Sequence, residues 1–196
     1  MAEPSADDLK ALANARLGGR ALAQVDAALG RLDLPVRASA TLRDVHHLVP
    51  DPTAALEELA LGERADPVHA VLERVDAAHG ALAQSLPRQI VHGDFAFPNL
   101  IVDGGKVTGL VDFEFAGADF RAADLAAAMY VIAVRADDAS RWQLLEAFAA
   151  GYRRSLPLDP LEVAALPDLM LRRAAVGLVH WLGRWRAGVA DRAEPI

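Results

Sequence analysis

Apolar positions recur at helical spacing along the first third of the chain, at Leu22, Val25, Leu29 and Leu32, with Leu9 and Leu12 opening a similar stripe earlier. The spacing predicts helix over about 7–32, with Gly18-Gly19 as the place where it breaks. Residues 33–52 hold Pro35, Pro50 and Pro52 and read as an irregular connection, followed by a short helix in "TAALEELAL" (53–61) capped by Asp51 or Thr53. A second amphipathic stripe, Val68, Val71, Leu72, Val75 and Leu82, predicts helix over 67–84, with Asp66 as its cap and Pro67 in its first turn. The texture then changes. "QIVHGD", "NLIVD" and "KVTGLVDFEF" are short β-rich runs separated by Gly and Asp, which predicts strands bracketing loops over 89–118. Helical spacing returns over 120–187, in segments near 121–135, 139–153 and 160–187, the last with Leu171, Ala174, Leu178, Trp181 and Trp185 on one face. The order is helices, small sheet, helices: an α+β chain, mainly helical, expected to form one domain over 1–196.

Composition narrows what such a chain does. It has no cysteine, which excludes thiolate chemistry, disulfides and cysteine-ligated zinc and suits a reducing cytoplasm. A formal net charge of -7 opposes nonspecific binding to nucleic acid or to an anionic membrane, and no apolar run approaches the length of a membrane span. The N-terminus lacks the basic and apolar regions of a secretion signal. Serine hydrolysis lacks a G-x-S-x-G elbow, and Ser5, Ser39, Ser85, Ser140 and Ser155 lie in ordinary settings.

The polar residues concentrate in the middle segment: His92, Asp94, Asn99, Asp112, Glu114, Asp119 and Asp124. Phosphoryl transfer needs oxygen ligands that hold Mg²⁺ against phosphates and a carboxylate that orients an attacking hydroxyl. Asp94 and Asn99 stand in a D-x4-N spacing, and Asp112-Phe113 follows Asn99 by 13 residues at the end of an apolar run. A hairpin between them brings these groups to one place. The intervening Asp103-Gly104-Gly105 reads as a simple turn.

"HGDFAFPN" followed by "GLVDFEFAGADFRAADLA" resembles the core of the aminoglycoside phosphotransferase, choline kinase and homoserine kinase-like superfamily, which shares its fold with protein kinases. "LGGRALAQVDAAL" resembles the first helix of that family's C-terminal lobe. The resemblance implies that Asp94 is the base facing the acceptor hydroxyl, that Asn99 and Asp112 hold Mg²⁺ against the phosphates of ATP, and that Glu114 assists the metal or its waters. It implies an apolar floor beneath adenine from Ile101 and Val111, and structural support of the loop by His92 and Asp124. Only about 16 residues precede the "LGGRALAQ" helix, with no Gly-rich loop and with Lys10 as a surface charge. The expectation is therefore a C-terminal lobe with the N-terminal β-lobe absent.

These features imply a small-molecule phosphotransferase acting on a hydroxyl acceptor; aminoglycoside, choline, homoserine or another alcohol all stay open, and "DFEFAGADF" looks closest to the homoserine-kinase-like branch. The alternative is a non-catalytic kinase-like module that binds a ligand or a partner protein. In either case an apolar face is expected where the other lobe docks, covered by a homodimer or a partner chain. Trp142, Trp181, Trp185, Glu146 and the Asp137-Asp138 pair fall in the helices expected to form the acceptor pocket. The aromatics there are read first as core, and the acids as suited to an amine-bearing acceptor. The neighbours His46 and His47 are expected to diverge as loop or surface histidines.

Overall fold

A computed structural model describes residues 6–34, 41–59 and 65–190. Among the described residues, six α-helices accompany two small antiparallel sheets. Helix α1 (Ala6–Leu29) is followed by a 3-10 turn (Leu42–Asp44), the short α2 (Pro52–Glu57) and α3 (Ala65–Ser85). Strand β1 (Arg88–Val91), a 3-10 turn (Phe97–Asn99), β2 (Leu100–Asp103), β3 (Lys106–Leu110) and β4 (Gly117–Phe120) make the middle segment. The chain closes with α4 (Ala123–Arg135), α5 (Arg141–Arg153) and α6 (Pro160–Arg186). None of the described helices is long and apolar enough to cross a membrane.

Helix α1 is unbroken, against expectation, because Gly18 and Gly19 serve packing. A Cβ at Gly19 would strike the Phe148 carbonyl of α5, and one at Gly151 would strike the Arg16 carbonyl of α1. The missing side chains let the two backbones touch, an advantage that outweighs the weak helix propensity of glycine. Leu22, Ala23, Phe148 and Tyr152 fill the seam, joined by Phe95 and by Leu125 and Ala128 of α4. Helix α1 stops at Leu29 rather than Leu32, which is half-exposed after the turn closed by Gly30 N–H on Asp26 O.

Elsewhere the boundaries follow local chemistry. Asp51 caps α2, accepting the Ala54 amide at 3.1 Å, and Pro52 takes the first helical position. Asp66 is not a cap but lies inside the first turn of α3, where its charge favours the positive end of the helix. Helix α4 begins at Ala123 because Arg121 N–H still bonds Pro87 O beside the β1–β4 ladder. Asp159 and Glu162 form a capping box on α6. This last helix is the spine. Its most buried line, Ala165, Leu169, Ala175, Val179 and Leu182, is offset from the predicted Leu171–Ala174–Leu178 stripe, whose members flank it half-buried.

His46 and His47 do not diverge; in the loop before α2 their rings stack with centroids 4.9 Å apart. Gly183 of α6 leaves room for the His46 ring, and burial pushes that imidazole below its ordinary pKa.

Candidate active site

The β1–β4 pair brackets the polar segment along the chain, and the β2–β3 hairpin lies within it. Strand β1 pairs with β4, placing Val91 opposite Gly117, so the chain leaves the sheet into His92 just where β4 begins. Gly93 then takes φ of +82°, and a Cβ there would meet the Phe115 carbonyl. Only glycine makes this turn without strain. His92 is fully buried and bridges two loops: its Nδ1 accepts the Asp94 amide at 3.3 Å, and its Nε2 donates to Val111 O at 3.0 Å. One imidazole therefore ties the backbone carrying Asp94 to the backbone carrying Asp112.

The β2–β3 hairpin completes that tie. Gly104 and Gly105, both at positive φ, make its turn, as the sequence predicts. Val111 N–H donates to Asn99 O at 3.0 Å, which sets Asn99 beside the approach to Asp112. Asn99 Nδ2 donates to Asp94 O at 3.0 Å, leaving the carboxamide oxygen as its available donor atom. Asp112 has φ of +68°, the one described non-glycine residue in the left-handed region. A short polar side chain tolerates that backbone, which most other residues adopt only under strain.

Glu114 is exposed in the turn after Asp112. Among the described residues, no three His, Cys, Asp or Glu side chains converge enough to hold an ion by themselves. The donor set of Asn99, Asp112 and Glu114 nonetheless fits Mg²⁺, a hard cation that takes a few protein oxygens and fills its remaining positions with water and phosphate oxygen. Ile101 and Val111 are 50% and 44% exposed, and Phe97, Val102, Phe113 and Phe115, close to them in the chain, are exposed as well.

Asp124, at the start of α4, is buried beneath the turn and accepts His92 N–H at 2.6 Å and Gly93 N–H at 2.8 Å. Sequence reasoning did not identify its neighbours Asp26 and Tyr152. Tyr152 OH donates to Asp26 Oδ2 at 2.7 Å, and burial pushes the acids of both upward.

A cavity of about 640 Å³ opens on the Asp94 side, lined by Asp94, Glu114, Asp44, Asp119, His180 and Arg173 among others. Arg173 reaches Asp94 Oδ1 at 2.5 Å, while Arg172 bonds Asp119 at 2.8 Å. Asp44 is held below the usual carboxylate range by hydrogen bonds from Thr41. This wall differs from the predicted pocket. Trp142 is 76% exposed and does not line the cavity, Trp181 and Trp185 stack on each other at 6.2 Å, and Glu146 faces solvent. Asp137 accepts the Ala139 and Ser140 amides, and Asp138 pairs with Arg141. Local capping and pairing thus consume the two aspartates expected in the pocket. The Arg172-Arg173 pair was the overlooked signal, two charges set inside the apolar pattern of α6.

A mainly helical chain with a hairpin-borne H-x-D loop and an Asp-Phe turn is the C-terminal lobe of the protein-kinase-like fold. Residues 4–159 match the phosphotransferase enzyme family, and the chain belongs to that family. A homoserine kinase from Gluconobacter oxydans is 33% identical over 144 residues, covering 71% of this chain and 45% of its own. One from Methylobacterium sp. is 35% identical over 185 residues, covering 91% of this chain and 56% of its own. The chain spans about half the length of these curated relatives. Among solved structures, an amicoumacin kinase in complex with AMP-PNP and Ca²⁺ superposes with a TM-score of 0.65 at 17% identity, over 94% of this chain and 54% of that one. An aminoglycoside phosphotransferase from Streptomyces rimosus gives 0.55 at 24% identity, over 91% and 64% of the two chains.

Proposed function

We propose that the chain carries the acceptor-side and metal-side groups of a small-molecule kinase, which moves the γ-phosphoryl group of ATP to a hydroxyl. The observation that carries this reading is the tie between loops: His92 and Asn99 link Asp94, on the cavity wall, to the turn of Asp112. Asp94 orients the acceptor hydroxyl and takes its proton as the new oxygen–phosphorus bond forms and ADP leaves. Asn99 and Asp112, with Glu114 beside them, are the groups that would hold Mg²⁺, and Ile101 and Val111 offer an apolar surface to adenine. When bound, the metal neutralises charge on the phosphates. His92, Asn99 and Asp124 hold the loop so that Asp94 stays aimed.

The cavity supports an acceptor of mixed charge. Asp44 suits an amine, and Arg173 beside Asp94 suits a carboxylate, a combination met by a hydroxy amino acid such as the substrate in the relatives' name. Asp94→Asn is expected to abolish phosphorylation of homoserine while leaving nucleotide affinity within about threefold, since the residue faces the acceptor. A large affinity loss would show that Asp94 serves the nucleotide instead.

The exposed apolar side chains between Phe97 and Phe115 support a covering partner, either a second copy or another chain, and they also favour a non-catalytic binding module. Light scattering is expected to show self-association as concentration rises; a monomer throughout a wide range removes the homodimer. The absence of cysteine and the negative net charge support a cytoplasmic setting with neither nucleic acid nor membrane as partner.

A further inference from the structure

Two buried carboxyl groups lie beneath the His92–Gly93 turn, and one oxygen of the pair has no donor among the described residues. Asp26 of α1 and Asp124 of α4 are both fully buried and interact directly. Asp124 is supported by two backbone amides, those of His92 and Gly93. Asp26 accepts one hydroxyl, from Tyr152, on Oδ2, while its Oδ1 is buried without any donor. Two touching carboxylates shielded from water do not both ionise, and the proton settles on the group whose anion is less supported. That group is Asp26. A proton on Oδ1 removes the orphan and turns repulsion into a hydrogen bond to Asp124.

We propose that Asp26 is a positioning residue for the loop: it keeps a proton on Oδ1 and donates it to Asp124, whose oxygens then stay fixed on the His92 and Gly93 amides. The groups around it are consistent with this. Tyr152 faces it from α5, Asp124 from α4, and Gln89 of β1 donates to the Asp26 carbonyl rather than to its side chain. His92 lies beyond Asp124, with Nδ1 turned to the Asp94 amide. Arg121, the cation acting on Tyr152, is committed to Glu162. Burial first, then the Asp124 charge, push the Asp26 acid up to about 9.

An acid whose folded pKa is raised contributes stability that is fully present below its unfolded value near ~4 and is lost as pH climbs through the folded one. Asp26→Asn offers the same geometry without the titration, its amide donating to Asp124 and its oxygen accepting from Tyr152. The connection to chemistry rests on the proposed role of Asp94, but the test reads the proton and the loop and is decided without turnover. Carboxyl ¹³C NMR of the wild-type chain is expected to show Asp26 neutral at pH 7 and ionising near 9. Asp26→Asn is expected to keep amide-exchange protection at His92 and Gly93 and to gain stability on wild type as pH rises, with a slope of about one proton. Asp26→Leu is expected to lose protection at those two amides by about tenfold, with the amide of Val179 in α6 unchanged. Ionised Asp26 at pH 7, or a wild-type pH dependence in Asp26→Asn, would overturn the proposal even if Asp26→Leu does not fold. Unchanged protection in a folded Asp26→Leu would overturn it as well.

Discussion

Gly93 and Asp112 share a left-handed backbone for different reasons, and the difference has consequences for each residue. Gly93 has φ of +82° and lies against the Phe115 carbonyl, so a side chain there is both strained and obstructed. Gly104 has φ of +54° with open space around it, so only the strain applies. Gly93→Ala is expected to cost about 1–3 kcal/mol from the backbone alone, with the collision adding to it, and Gly104→Ala only about 1–2 kcal/mol. Urea unfolding of the two variants measures the gap; equal midpoints would mean that Phe115 yields freely and does not define the turn. Asp112 keeps its strained backbone with a polar side chain. Asn is therefore the substitution that removes its charge while respecting its geometry.

At the scale of elements, what the pattern of residues revealed depended on whether the relevant force was local. The amphipathic stripe of α3 and the turn glycines of the β2–β3 hairpin are written into neighbouring positions, and both are where the pattern places them. The H-x-D-x4-N loop and the Asp-Phe turn were legible for the same reason, since spacing along the chain sets which positions the hairpin brings together. Gly18-Gly19 misled because its role is nonlocal: α5, more than a hundred residues later, needs the space beside α1. Asp26 was hidden likewise, an acid inside a helical stripe whose partners, Tyr152 and Asp124, come from two other helices. Trp142 misled in the opposite direction, an aromatic read as core that the packing of α5 leaves outside.

For the whole molecule, the helices make one scaffold behind two faces with different chemistry. On one side the cavity beside Asp94 mixes Arg173 with Asp44 and Asp119, a setting for a small polar acceptor. Ile101, Val111 and Phe113 are apolar and exposed, and under the proposed function they would meet a nucleotide base or a covering chain. His92 stands between the faces and holds both loops. Under the proposed function this chain presents metal ligands to a nucleotide, and the decisive experiment is calorimetric titration of ATP and ADP, with and without Mg²⁺. Wild type is expected to bind with a heat that requires Mg²⁺, and Asp112→Asn to weaken binding by about tenfold, or about 1.4 kcal/mol. No heat under any condition, or an Asp112→Asn variant that binds as tightly as wild type, would contradict it.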